Sequence, residues 1–197
     1  MKRKKYLLTY EISFLSLMAA LVYVFKTYFK TPIQLPAHTA IVWVIPYIIG
    51  IGVTRKFGSG TYVGVLAGLL MGTIGMADKG ILEVFEWTAM GITMDFLALM
   101  FKGHLGNPLV GVILGAFGSF NKTLVNYYIT AQIAHSTPLL VAGIGVAGTS
   151  SLVFGGAGGA ISAIIVNRVQ HMLLPNQTQK IKKQKTANSS ENSVLTS

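Results

Sequence analysis

The chain has 197 residues, of which 52% are apolar and only 11% charged, well below the charged share of about 25% in a soluble domain. It carries a net charge of +10 and no cysteine, which excludes disulfides and thiolate metal sites. The positive excess sits at the two ends of the chain, where anionic lipid headgroups account for it without nucleic acid as a partner.

Six apolar runs follow, at roughly 6–29, 38–54, 59–77, 81–101, 107–131 and 139–167. Each is near the ~20 residues a helix needs to cross hydrocarbon, and most lack the polar face of a soluble helix. The expectation is an all-α membrane protein: six transmembrane helices in residues 1–172, and a polar, basic, disordered cytoplasmic tail over 173–197. The first run begins like a signal peptide, but it is too long and leads into Lys26 and Lys30, so a retained span is expected.

Run one places Ser16, Ala19 and Ala20 together as a small-residue patch that a second helix can approach closely. Pro32 and Pro36 then break the helix. Run two is short and contains Pro46, which predicts a kink or tilt. Run three repeats glycine every fourth residue, at Gly60, Gly64, Gly68 and Gly72, a bare stripe suited to close helix packing. Residues 75–80 end it. Run four carries Glu83, Glu86, Trp87 and Asp95; run five carries Asn121, Lys122, Asn126, Tyr127 and Tyr128; run six is dense in glycine.

Threading these runs with the N-terminus inside gathers twelve of the 16 lysines and arginines on the cytoplasmic side, including Lys2 to Lys5, Arg55, Lys56, Lys102 and Arg168. Only Lys26, Lys30 and Lys79 fall outside. That bias predicts both termini in the cytoplasm, in a plasma-membrane protein. Lys122 lies within a span.

A charge within a span costs about 2.5–3.5 kcal/mol on insertion scales and marks a site by default. The threading brings Glu83, Glu86, Trp87, Lys122, Asn126 and Tyr127 to one depth in the outer half, with His38 at the mouth. Aromatic walls with a few orienting polar groups make a small-molecule pocket. The alternative is an ion pair between Glu83 or Glu86 and Lys122 that holds the bundle together. Two carboxylates against one lysine tilt the expected ligand toward a cationic or zwitterionic compound with a flat ring. Asp95, deeper, is expected to serve structure. His38, His104, His135 and His171 are scattered and lack metal-site spacing. Gly155 to Gly159 resembles a nucleotide loop only superficially, because no strand precedes it. No catalytic motif is present, so no enzyme, metal or cofactor is expected.

The layout resembles the substrate-binding S components of energy-coupling factor (ECF) vitamin transporters over about residues 6–172. The features that carry the likeness are the Ser16, Ala19 and Ala20 face, the Thr54-Arg55-Lys56-Phe57-Gly58 segment that opens a glycine-striped span, and the polar, aromatic outer half of spans four to six. Residues 54–97 look somewhat like the thiamine-related members. The resemblance implies a subunit that captures a vitamin-like micronutrient outside the cell. That subunit docks through Ser16, Ala19 and Ala20 on a transmembrane T component driven by two cytoplasmic ATPases. Glu83, Glu86, Trp87, Lys122, Asn126, Tyr127 and His38 would line the ligand site, with loops near Gln34–His38 and Gly75–Gly80 closing over it. The chain lacks the Met-His start of cobalt and nickel members, so a metal substrate is not expected. Two other classes remain open: a small intramembrane enzyme acting on lipid or prenyl groups through Glu83, Glu86 and Asp95, and a structural subunit of a membrane complex.

Overall fold

The computed structural model describes residues 7–28, 38–74, 79–101, 104–134 and 137–173. Among these the chain forms six α-helices and no strand: α1 (Thr9–Tyr28), α2 (Ala40–Thr54), α3 (Ser59–Thr73), α4 (Glu83–Met100), α5 (Pro108–Ala134) and α6 (Thr137–Leu173). The spans Thr9–Tyr28, Pro108–Gln132 and Gly143–Gln170 are long and apolar enough to cross a membrane. The expected tail after 173, the loop residues 34–37 and 75–78, and His135 lie outside the described residues.

The helices match the six apolar runs but differ from them by a few residues at several ends, most clearly at the start of α4 and the end of α6. α4 starts at Glu83 rather than 81, because Gly80 takes a left-handed conformation (φ 56°) and Gly80–Leu82 forms a short 3-10 turn first. α6 runs 37 residues, well past 167. At 1.5 Å per residue it is about 55 Å long; nothing breaks it before Pro175. Pro46 sits inside a continuous α2.

Glycine decides which helices touch. A Cβ on Gly60 would lie 2.9 Å from the Gly91 carbonyl oxygen, one on Gly68 would lie 2.6 Å from Val84 Cα, and one on Gly72 would meet the Gly80 carbonyl at 3.0 Å. The α3 stripe is therefore the seam for an antiparallel α4. The same device joins α5 to α6, where Gly111 lies against Gly159 and Gly115 against Gly155. Gly158 brings α6 onto α2 at Ile41. With no side chain between them, the backbones approach closely and gain dispersion contact along the whole seam.

The core lies between α1, α2, α3 and α4, with Leu15, Val22, Val44, Tyr47, Ile48, Val63, Trp87 and Met90 fully enclosed. Large apolar side chains also cover the outside, among them Leu17, Phe85, Phe96 and Val153, each more than half exposed. Polar bonds gather at the two ends of the bundle. At one, Lys56 in the α2–α3 turn pairs with Glu11 at the start of α1 (2.6 Å), and Arg55 donates to Gln170 near the end of α6. Gln170 in turn donates to the Gly52 carbonyl (3.1 Å). The other end holds Glu86.

Candidate functional site

Glu86 is in the first turn of α4, one helical turn from Met90 on the face that packs inward, so its carboxylate is carried into the protein and is 1% exposed. A carboxylate there must find partners, since an isolated buried charge is strongly unfavourable. It finds three. Lys79, just ahead of the 3-10 turn, donates to Oε1 at 2.9 Å. Lys122 and Asn126, one turn apart on α5, donate to Oε2 at 3.2 and 3.0 Å. Lys79 also donates to the Asn126 backbone carbonyl (2.9 Å), tying the α3–α4 connection to α5. Lys122 is 9% exposed, so it is buried as well.

Aromatic rings complete the cluster. The Lys122 ammonium lies 4.6 Å from the centre of the Trp87 ring and 5.8 Å from that of Trp43, within cation–π range. Trp43 meets Trp87 edge to face at 5.0 Å, and Tyr47 stacks on it at 6.2 Å. Tyr47 fixes that stack by donating its hydroxyl to the Trp87 carbonyl (2.9 Å). Trp43 and Tyr47 are four apart on α2 and so share one helix face.

Of the residues expected at the site, Glu86, Trp87, Lys122 and Asn126 come together. Glu83 stands one turn away, half-buried, and accepts from the Trp87 indole N–H (3.2 Å), outside ion-pair distance of either lysine. Tyr127 turns toward α6, where its hydroxyl would meet a Cβ on Gly143 at 3.1 Å. Its direction differs from that of Asn126 by the ~100° that separates neighbours on a helix. His38 sits half-buried in the turn entering α2. The expected charge balance also changes. Lys79 makes two ammoniums around one carboxylate, instead of two carboxylates around one lysine.

Lys79, Trp43 and Tyr47 were not singled out by the sequence. Lys79 reads as a loop charge that reports topology. The spacing of Trp43 and Tyr47 was the available signal, since two ring-bearing residues four apart on an otherwise aliphatic helix mark a shared aromatic face.

The other polar groups inside the bundle serve the fold. Asp95 is 2% exposed and accepts from the Gly60 and Thr61 backbone N–H groups and the Thr61 hydroxyl, at 2.8, 2.7 and 2.7 Å. It caps the start of α3 from a neighbouring helix, as the Gly58 cap residue has no side chain to do so. Asn121 donates to Thr93 (2.6 Å) and the Ala89 carbonyl (3.1 Å), bracing α5 on α4. The small-residue patch on α1 is partly used internally. Ala19 is fully buried in the protein's own core, so it is not open to a partner. Ser16 bonds the Ile12 carbonyl and lies 3.0 Å from the Tyr62 hydroxyl, and Ala20 is half-buried.

Comparison with protein-family models, with curated proteins and with solved structures found no match to this chain.

Proposed function

We propose that the chain crosses the membrane six times with both termini in the cytoplasm, and that it is the substrate-binding subunit of an ECF-type importer for a small water-soluble, vitamin-like nutrient. The observation that carries this reading is the buried Glu86–Lys122 pair, joined by half-buried Lys79 and Asn126 and set against Trp43 and Trp87 at one end of the bundle. Ionisable groups at such depth are expensive, and aromatic faces beside a few fixed polar groups are what a small flat ligand requires. The opposite end, with Arg55 and Lys56, agrees with a cytoplasmic surface, and the exposed apolar side chains around the bundle agree with lipid contact. Capture would occur at the Glu86 end. Energy would come from a transmembrane partner and two ATPases, with Ser16 and Ala20 left on α1 as the small residues available for docking.

The enzyme reading loses support because its three carboxylates diverge. Asp95 is committed to the α3 start, Glu83 to an indole N–H, and Glu86 to two ammoniums. A structural-subunit reading keeps one specific observation in its favour, since Glu86 ties α4, α5 and the α3–α4 connection together by itself.

Mass spectrometry of small molecules that co-purify with the full chain separates the two. The binding reading expects one stoichiometric, ring-containing compound released on denaturation. Repeated absence of any such compound, from cells grown in rich medium, would favour the structural subunit.

A further inference from the structure

The balance of charge and donors around Glu86 limits what can bind there. Two ammoniums face a single carboxylate, and Glu83 is not within ion-pair distance of either. Both Glu86 oxygens are already engaged, Oε1 by Lys79 and Oε2 by Lys122 and Asn126. A cation entering the cluster would have to displace an ammonium already seated on the carboxylate.

Donors, in contrast, are in surplus. An ammonium has three N–H groups. Lys79 spends two, on Glu86 and the Asn126 carbonyl, and Lys122 spends one, on Glu86. Among the described residues the remaining N–H groups have no protein acceptor, and Lys122 rests instead against the two indole rings. A buried group of charges is stable only when paired and bonded, and this one lacks a single negative charge with free acceptor oxygens.

We propose that the Glu86 cluster binds a small organic monocarboxylate, received by the unspent N–H groups of Lys122 and Lys79. One negative charge matches the deficit, whereas a phosphate dianion would overshoot it. A carboxylate can also take two of the unspent N–H groups at once, which strengthens the contact. The proposal rests on the binding-subunit reading and makes that site's ligand an anion, where the sequence led to a cationic or zwitterionic one. Glu86 then acts as an internal competitor that holds the two lysines in place while the site is empty.

The test uses the chain's own fluorescence. It has two tryptophans, Trp43 and Trp87, and both lie beside Lys122, so their emission reports on this site alone. The full-length protein in detergent is titrated with benzoate, benzamide and benzamidinium, which share a ring and differ in charge. Benzoate is expected to change the emission saturably, at least tenfold more tightly than benzamide, and benzamidinium to give no saturable change. Glu86→Gln should tighten benzoate about tenfold, because the competing carboxylate is gone; Lys122→Gln should weaken it at least tenfold. Lys79→Gln, nearer the surface, should weaken it too and leaves the buried pair intact if Lys122→Gln fails to fold. Preference for benzamidinium, or weaker benzoate binding in Glu86→Gln, would overturn the proposal. A co-purified cation would overturn it while leaving the capture function standing; absence of both probe binding and any co-purified compound would overturn the two together.

Discussion

Asp95 on α4 and Thr61 on α3 are joined twice, the carboxylate accepting from the Thr61 backbone N–H and from its hydroxyl, each at 2.7 Å. One side chain thus finishes a helix to which it does not belong. The first N–H groups of a helix have no partner within it, and inside an apolar bundle they cannot turn to water. Asp95→Ala would strand the Gly60 and Thr61 N–H groups. We expect a loss of about 1–3 kcal/mol of stability, read as earlier unfolding in a detergent denaturation series. Ligand affinity in the folded fraction should be unchanged, because Asp95 is not part of the Glu86 cluster.

Removing Glu86 should act in a different way. Glu86→Ala leaves Lys122 buried beside Trp87 without its carboxylate, and loss of one partner of a buried pair costs about 3–5 kcal/mol. Adding Lys122→Met should return part of that loss, since the stranded charge is then gone and the apolar stem volume is kept. Thermal unfolding of the wild type, the single and the double variants measures the recovery. An equal or larger loss in the double variant would show that the ion pair is not the source of the destabilisation.

The α3 stripe predicts a contrast between two glycines. A methyl on Gly64 would collide with the Trp87 carbonyl and lie 2.8 Å from the Tyr47 hydroxyl, so Gly64→Ala must push α3 away from α4. We expect a loss of about 1–3 kcal/mol and a change in tryptophan emission, because Tyr47 and Trp87 move with that backbone. Gly145 on α6 has nothing within 4 Å of its would-be methyl. Gly145→Ala should leave the fold intact and can add up to about 1 kcal/mol from helix propensity alone. Side-by-side melting curves of the two variants check both signs.

The six-span threading is open to a clean labelling test because the chain has no native cysteine. Phe57 is 67% exposed in the α2–α3 turn, and Gln132 is exposed near the end of α5. In intact cells, an impermeant maleimide should label Gln132→Cys, while Phe57→Cys should react only after the membrane is opened. The reverse pattern would invert the orientation, and with it the side from which the Glu86 cluster is reached.

Much of the architecture is readable locally. The lengths of the apolar runs set where α1 to α6 begin and end, because a helix satisfies its own backbone within a few residues and needs no knowledge of its neighbours. The glycine spacing in α3 likewise marks a packing seam before its partner is known. Gly80 is the instructive exception. Its left-handed backbone delays α4 by two residues, and Lys79, just ahead of it, reaches Glu86 over the start of that helix.

What the amino-acid order determined alone is the set of helices, their apolar surfaces and the presence of costly charges within them. What only the packed bundle decided is who partners whom: Lys122 meets Glu86 across 36 positions, Asp95 reaches back 34 to Thr61, and Tyr127 swings to α6. The physical reason is range. Helix formation is governed by bonds four residues apart, whereas a buried charge takes its partner from whichever helix the glycine seams bring within about 3 Å.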